Sequence, residues 1–225
     1  MIHVLTYATD GTNETKNLIE HRKNQTETLR FHGFTSFLEW EPTTFAGTPF
    51  FNVHRDVLSR KRGAGYWLWK PYCIFRALNQ IPVGDVLMYL DADLAVVKNP
   101  TDFANQAIPR GVMATGTAYP CITFVKRDVF VLLDADTEYF YNQTQIWAGA
   151  LAFHNVPKVV EFVIEWLTAC CNHTMVVDGL SKHGTELPGF FDHRHDQAVL
   201  TILMHKLGWT ALGNEWAQYF SHPSG

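Results

Sequence analysis

The sequence predicts an α/β domain with a mostly parallel central sheet flanked by helices, and three observations predict it. Short strand-like apolar runs alternate with helical stretches along the chain. One of those runs, Asp85-Val86-Leu87-Met88-Tyr89-Leu90, is almost purely apolar, as a strand buried on both faces must be. The chain has 225 residues, 47% hydrophobic and 18% charged, which suits one domain with one sizeable core.

Taken in order, Ile2-His3-Val4-Leu5-Thr6-Tyr7 reads as a first strand ending in the turn and cap cluster Ala8-Thr9-Asp10-Gly11. A polar helical stretch follows over residues 14–32, then a second strand over 34–40. Residues 42–49 read as loop and 51–62 as a short helix. Gly63-Ala64-Gly65 punctuates the chain before Tyr66-Trp67-Leu68-Trp69-Lys70-Pro71, where a helix with Pro71 in its first turn starts and runs through Tyr72 to Asn79. The turn Pro82 to Gly84 introduces the apolar strand. Residues 112–116 and 148–153 have strand character. Residues 156–171 and 197–207 have the spacing of helices.

Several function classes are disfavoured. A net charge of −4 gives no basic field for nucleic acid. No apolar run is long enough to span a membrane, and the N-terminus lacks the pattern of a secretory signal. Cys73, Cys121, Cys170 and Cys171 show no Cys-x-x-Cys spacing and read as reduced thiols of a cytoplasmic protein.

In open α/β sheets ligands bind beyond the carboxyl ends of the strands, and the apolar strand delivers Asp91-Ala92-Asp93 there. Two carboxylates one residue apart on such a turn suit a hard divalent cation, Mn²⁺ or Mg²⁺, bridging to phosphate oxygens. A second copy, Asp134-Ala135-Asp136, follows a helix-like run opened by Asp128 and reads as a solvated helix end.

Other residues carry open alternatives. Lys70 and Arg62, near the glycine-rich turn, are either partners for a diphosphate or surface charges. Trp67 and Trp69 face one way if the chain is extended, as a stacking platform or a core contact. His193-Arg194-His195-Asp196 precedes an apolar helix that Asp192 could cap, and is either a substrate-binding or metal cluster or a structural group. Residues 179–189, with Glu186, have the composition of either a lid or a connector.

Tyr89-Leu90-Asp91-Ala92-Asp93-Leu94-Ala95-Val96-Val97-Lys98-Asn99-Pro100 resembles the strand and metal segment of retaining GT-A glycosyltransferases, the class of glycogenin and the lipopolysaccharide galactosyltransferases. Gly65-Tyr66-Trp67-Leu68-Trp69-Lys70-Pro71-Tyr72 and His193-Arg194-His195-Asp196-Gln197 resemble blocks of small glycosyltransferases from bacterial polysaccharide clusters and large DNA viruses. The resemblance covers most of the chain and implies a Rossmann-like GT-A domain over residues 1–225. A nucleotide-sugar-binding half would span residues 1–110 and an acceptor-binding half residues 111–225.

It implies a transferase moving a sugar from a nucleotide sugar, UDP-linked, to a saccharide or glycan acceptor with retention. Asp91, Asp93 and His222 would hold the Mn²⁺ or Mg²⁺. Thr6, Tyr7, Ala8 and Asp10 would lie against base and ribose, and Ala92 between the metal-binding carboxylates. Arg62 and Lys70, if they are not surface charges, would meet the donor diphosphate. Asp196 and Gln197 would sit at the reacting sugar. His222 matches a late His-x-x-Gly block, but the residues that follow it in such enzymes are absent after Gly225, which reads as a domain cut from a longer chain. Ala148-Gly149 also departs, since several such enzymes have a polar residue before the glycine. Two other readings stay open: a non-catalytic carbohydrate-binding module, and a metal-dependent hydrolase built on His193, His195 and Asp196.

Overall fold

The computed structural model describes residues 1–9, 17–209, 211–213 and 218–222. Asp10, expected beside the nucleotide, lies outside them. A five-stranded sheet has the order β2-β1-β3-β6-β5, from β1 (Ile2–Tyr7), β2 (Phe37–Trp40), β3 (Val86–Asp91), β5 (Val112–Pro120) and β6 (Thr144–His154). β1 is parallel to β2 and β3, while β6 runs antiparallel to both β3 and β5. Four of the five strands therefore point one way, as expected. A separate two-stranded pair joins β4 (Ala95–Val96) to β7 (Phe220–Ser221).

Four helices of ten or more residues flank the sheet among the described residues: α1 (Leu18–Phe31), α2 (Trp69–Leu78), α3 (Pro157–Cys171) and α4 (His195–Lys206). Side chains alternate across a strand, so β3 feeds two cores. Leu87 and Tyr89 pack with α2, α3 and α4 on one face. Val86, Met88 and Leu90 pack with Leu29 of α1 and with Phe103 and Phe220 on the other. Burial on both faces explains the unbroken apolar run. The free thiols Cys73, Cys121 and Cys170 are buried and Cys171 is half-buried.

Local geometry departs from expectation in several places, and the loop expected over 42–49 opens with a short helix, Pro42–Phe45, that Pro42 starts. The helix expected over 51–62 is two short ones, Pro49–Val53 and Arg55–Leu58, because His54 between them leaves the helical region at φ −105° and ψ 18°. The helix expected to start within residues 66–71 does so at Trp69, with Pro71 in its first turn. It is preceded by an unexpected run in which Gly63, Ala64, Gly65, Tyr66 and Trp67 all have positive φ, between 49° and 100°. β6 reaches back to Thr144, where Thr144, Gln145 and Trp147 hid the strand in a polar and aromatic stretch.

Asn155 just beyond β6 ties the edge of the sheet to the end of α2. Its Nδ2 donates to the carbonyls of Leu78, Ile81 and Pro82 at 3.0, 3.0 and 3.1 Å, in a buried setting. Truncation strands these acceptors away from water. Asn155→Ala should therefore lower unfolding free energy by about 1–3 kcal/mol, read from urea denaturation midpoints at unchanged m-value.

Candidate active site

The pleat of β3 decides where its last residue points. Asp91 follows Leu87 and Tyr89 in the two-residue alternation and so faces the α2 and α4 side of the sheet. There it meets Lys70, in the first turn of α2, whose Nζ lies 3.1 Å from Asp91 Oδ1. The same ammonium lies 3.8 Å from Asp196 Oδ2, in the first turn of α4, and donates to Ala148 O of β6 at 3.1 Å. Tyr89, two residues before Asp91 on the same face, donates its hydroxyl to Asp91 Oδ1. Gln197 completes the arrangement by accepting from the Ala148 N–H at 3.0 Å. One residue of β6 thus has both its backbone groups engaged by side chains the sequence singled out.

Burial opposes the charge on Lys70, which is only 3% exposed, yet Asp91 and Asp196 outweigh it and raise its pKa above the usual lysine range. The carboxylates share that one ammonium. Burial lifts Asp196 from 3.8 to about 7, against the pull of Lys70 and with a further push from Asp91. Burial also lifts Asp91, against Lys70 and Tyr89. Asp196 Oδ2 has no hydrogen-bond partner among the described residues, nor have the buried Thr6 Oγ1 and Thr9 Oγ1 at the carboxyl end of β1. Orphaned polar atoms of this kind call for a ligand or water.

Asp93 stands apart from the Lys70 group. β7 pairs with β4 and thereby brings His222 beside it, with His222 Nδ1 3.9 Å from Asp93 Oδ2 and the Trp147 ring edge-on to the imidazole at 6.0 Å. Gly149 is required here, since a Cβ would meet the Trp147 ring at 2.2 Å. Among the described residues no three His, Cys, Asp or Glu side chains assemble into a metal cluster. The donor set nonetheless fits a hard cation. Asp93 and His222 offer oxygen and imidazole, one ammonium faces three carboxylates, and Mg²⁺-like ions ordinarily keep open positions for phosphate oxygens.

Of the nucleotide segment, Thr6 and Ala8 are buried at the carboxyl edge, and Ala92 is buried inside the acidic turn. The Tyr7 ring stacks on Trp69 at 4.0 Å within the core. Trp67 and Trp69 do not face one way, because the chain between them is not extended. Trp69 is a core contact that donates Nε1–H to Gly63 O, whereas Trp67 lines the cleft and stacks on His195 at 5.3 Å. Positive φ at Ala64, Tyr66 and Trp67 costs roughly 1–2 kcal/mol per residue, and those ring contacts offset part of it. Arg62 reaches the rim, where Asp192 and Asp178 engage it at 2.8 and 3.5 Å.

The two histidines are anchored by backbone. His193 accepts the Lys126 N–H on Nδ1 and donates Nε2–H to Met175 O, which occupies both ring nitrogens. Burial drives its pKa down to about 3 and that of His195 to about 4, so both are neutral. Asp192 pairs with Arg62 instead of capping α4, whose N-cap residue is Arg194. The second acidic triplet follows the helix Arg127–Leu132 and its Asp134 is exposed, as a helix end should be, but Asp136 is engaged by Arg127 at 2.7 Å and Tyr141 at 2.6 Å. Asp128 does not cap a helix either. Buried, it pairs with Lys126 and accepts the Lys182 and His183 N–H groups, while Glu186 accepts the Arg127 N–H. These contacts fasten the loop over residues 179–189 to the body.

Sequence reasoning missed Tyr89 and the Ala148 peptide. For Tyr89 a signal existed: a hydroxyl in an aliphatic strand, two residues from Asp91. For Ala148 the sequence offered only the departure at Ala148-Gly149, because the contacts are to backbone.

The raised carboxyl makes stability depend on pH. A folded pKa above the unfolded one means the native chain binds more protons between the two values. The contribution of Asp196 is complete below about 3.8 and is lost as pH rises towards 7. Thermal or urea unfolding should show stability falling across that window by up to about 1.4 kcal/mol per pH unit for this group. Asp196→Asn should flatten the slope.

No family model matches the chain, and no curated protein sequence matches it. Solved structures do. WbbM, a bifunctional glycosyltransferase, matches with a TM-score of 0.50 at 12% identity, over 94% of this chain and 38% of its own. Mouse xyloside xylosyltransferase 1 matches with 0.48 at 11% identity, over 93% of this chain and 83% of its own. A glycosyltransferase involved in the glycosylation of the major capsid of PBCV-1 matches with 0.40 at 16% identity, over 74% of this chain and 65% of its own. The chain thus spans less than two thirds of the PBCV-1 enzyme and of WbbM. At such identities the likeness is one of fold, and the fold this chain carries is that of the GT-A glycosyltransferases.

Proposed function

We propose that the chain is a metal-dependent glycosyltransferase that moves a sugar from a UDP-linked donor to a saccharide acceptor with retention. The observation that carries this reading is the convergence of Lys70, Asp91 and Asp196 at the carboxyl edge of the sheet, where Asp196 Oδ2 is buried without a hydrogen bond, with Asp93, beside His222, on the turn that follows. The donor would lie against residues 1–110 and the acceptor against residues 111–225.

In this reading Asp93 and His222 hold Mn²⁺ or Mg²⁺, with Asp91 beside them. The ion would supply positive charge against the leaving diphosphate. Thr6 and Thr9 offer hydroxyls to base or ribose. Lys70 keeps Asp91 and Asp196 in place and adds its charge where negative charge develops. Asp196, with a pKa of about 7, can accept from or donate to a sugar hydroxyl near neutral pH. Gln197 acts on geometry, since its oxygen already holds the Ala148 N–H. Arg62 faces the donor only if its rim carboxylates release it.

The two rival readings have less support. A metal hydrolase would need His193 as a ligand, and both its nitrogens are engaged by backbone. A carbohydrate-binding module would stack sugars on aromatic rings, but Trp69 and Tyr7 are core residues, and exposed rings such as Tyr119 and Tyr139 leave the Lys70 group unexplained.

Thermal melting with nucleoside diphosphates and nucleotide sugars, with and without Mn²⁺, tests the proposal. A ligand at a hundred times its Kd adds about 2.7 kcal/mol, or roughly 5–10 °C for a chain of this size. UDP or a UDP-sugar should give a shift that requires Mn²⁺ and disappears in Asp93→Ala. A chain that no nucleotide stabilises is not this transferase.

A further inference from the structure

α1 turns an unusual face to the sheet. Its buried positions, Arg22, Gln25, Thr26 and Leu29, follow the helical spacing of an inward stripe, but three of the four are polar. Two of these have evident tasks at β2. Arg22 donates to Trp40 O and pairs with Glu41, and Thr26 donates to Glu39. Gln25 reaches elsewhere. Its Nε2 donates to Asp91 O at 3.0 Å and to Leu94 O at 2.8 Å.

Those carbonyls belong to the first and last residues of the turn Asp91-Ala92-Asp93-Leu94, which is itself closed by the Leu94 N–H on Asp91 O at 3.1 Å. An amide nitrogen has two hydrogens, and here each has an acceptor on this turn. Flipping the amide would set its oxygen against two carbonyl oxygens, so the orientation is fixed. The consequence is that Gln25 Oε1 is buried with no partner among the described residues. A Leu or Met would fill the space with no orphaned acceptor. What the glutamine adds is the double donation to the acidic turn.

We propose that Gln25 is a positioning residue that holds the Asp91–Leu94 turn in the geometry that presents Asp91 and Asp93 to a metal ion and its diphosphate. The inference rests on the transferase reading above. Gln25 touches neither ligand. It acts through the backbone on both sides of Asp93, as the residues behind metal-binding carboxylates commonly do.

The test is calorimetric titration of UDP into the intact chain, with and without Mn²⁺, for wild type, Gln25→Met and Thr26→Ala. Gln25→Met keeps the volume and removes both donors. Affinity for UDP in Mn²⁺ should fall roughly 10-fold to 100-fold, with Mn²⁺-free affinity unchanged. Thr26→Ala is the control for mere destabilisation, because Thr26 is equally buried on the same stripe but serves Glu39. It should lower the melting temperature and leave Mn²⁺-dependent affinity alone. Gln25→Glu, which keeps the shape but sets an oxygen where the donor stood, covers the case in which Gln25→Met fails to fold and should weaken Mn²⁺-dependent binding as well. Either Gln25 variant binding Mn²⁺–UDP as tightly as wild type overturns the inference and leaves the transferase reading intact. Wild type that binds no Mn²⁺–UDP sinks both.

Discussion

The buried ammonium of Lys70 is the interaction on which the site depends. It joins four elements at one point: α2 supplies it, β3 answers with Asp91, α4 with Asp196, and β6 with the Ala148 carbonyl. An isolated ammonium in such a place would be untenable, and so would either carboxylate. Removing one member of a buried ion group commonly costs about 3–5 kcal/mol because the rest is left uncompensated. The positions of Asp91 and Asp196 are therefore set by charge as much as by packing. The packing cooperates, since the Trp166 indole of α3 donates to Asp196 O at 3.0 Å and fixes where α4 begins.

The second constraint is the pleat. Because β3 is buried on both faces, its side chains must alternate, and the strand hands Asp91 to the α2–α4 side. The turn that follows carries Asp93 round to His222. Two acidic residues one position apart thus serve different neighbours. Asp93 still contributes to the field that raises the Lys70 pKa, so the two halves remain one electrostatic unit.

How much of this was legible follows from which forces act locally. The strand-borne Asp91-Ala92-Asp93 was visible because a turn, an apolar run and a terminal pair of charges are together what a doubly buried strand leaves in a sequence. Lys70 and Asp196 were visible as charges beside apolar helices, although their meeting was not. What joins residues 126 positions apart is the sheet order, which no local pattern encodes. The left-handed run from Gly63 to Trp67 was invisible for another reason. Two glycines announce a turn, but Ala64, Tyr66 and Trp67 give no hint that they too adopt positive φ. Only tertiary contacts, such as Trp67 on His195, impose that conformation. His193 and His195 misled in the opposite sense. Ionisable in sequence, they are neutral, and each directs one ring nitrogen to a backbone carbonyl.

The departures from local rules fall mostly in one region. The positive-φ run, the strained His195, the orphaned oxygens of Thr6, Thr9, Gln25 and Asp196, and a carboxyl raised to about 7 lie at or beside the carboxyl edge of the sheet. Each is unfavourable on its own, by unmet hydrogen bonding, strain or desolvation. They persist because the two apolar layers around Leu87, Trp166 and Met88 over-determine the backbone that carries them. A sequence selected for stability alone would have little reason to place so many of them together. Their coincidence with the edge where α/β sheets bind ligands is what supports placing the proposed site at this edge.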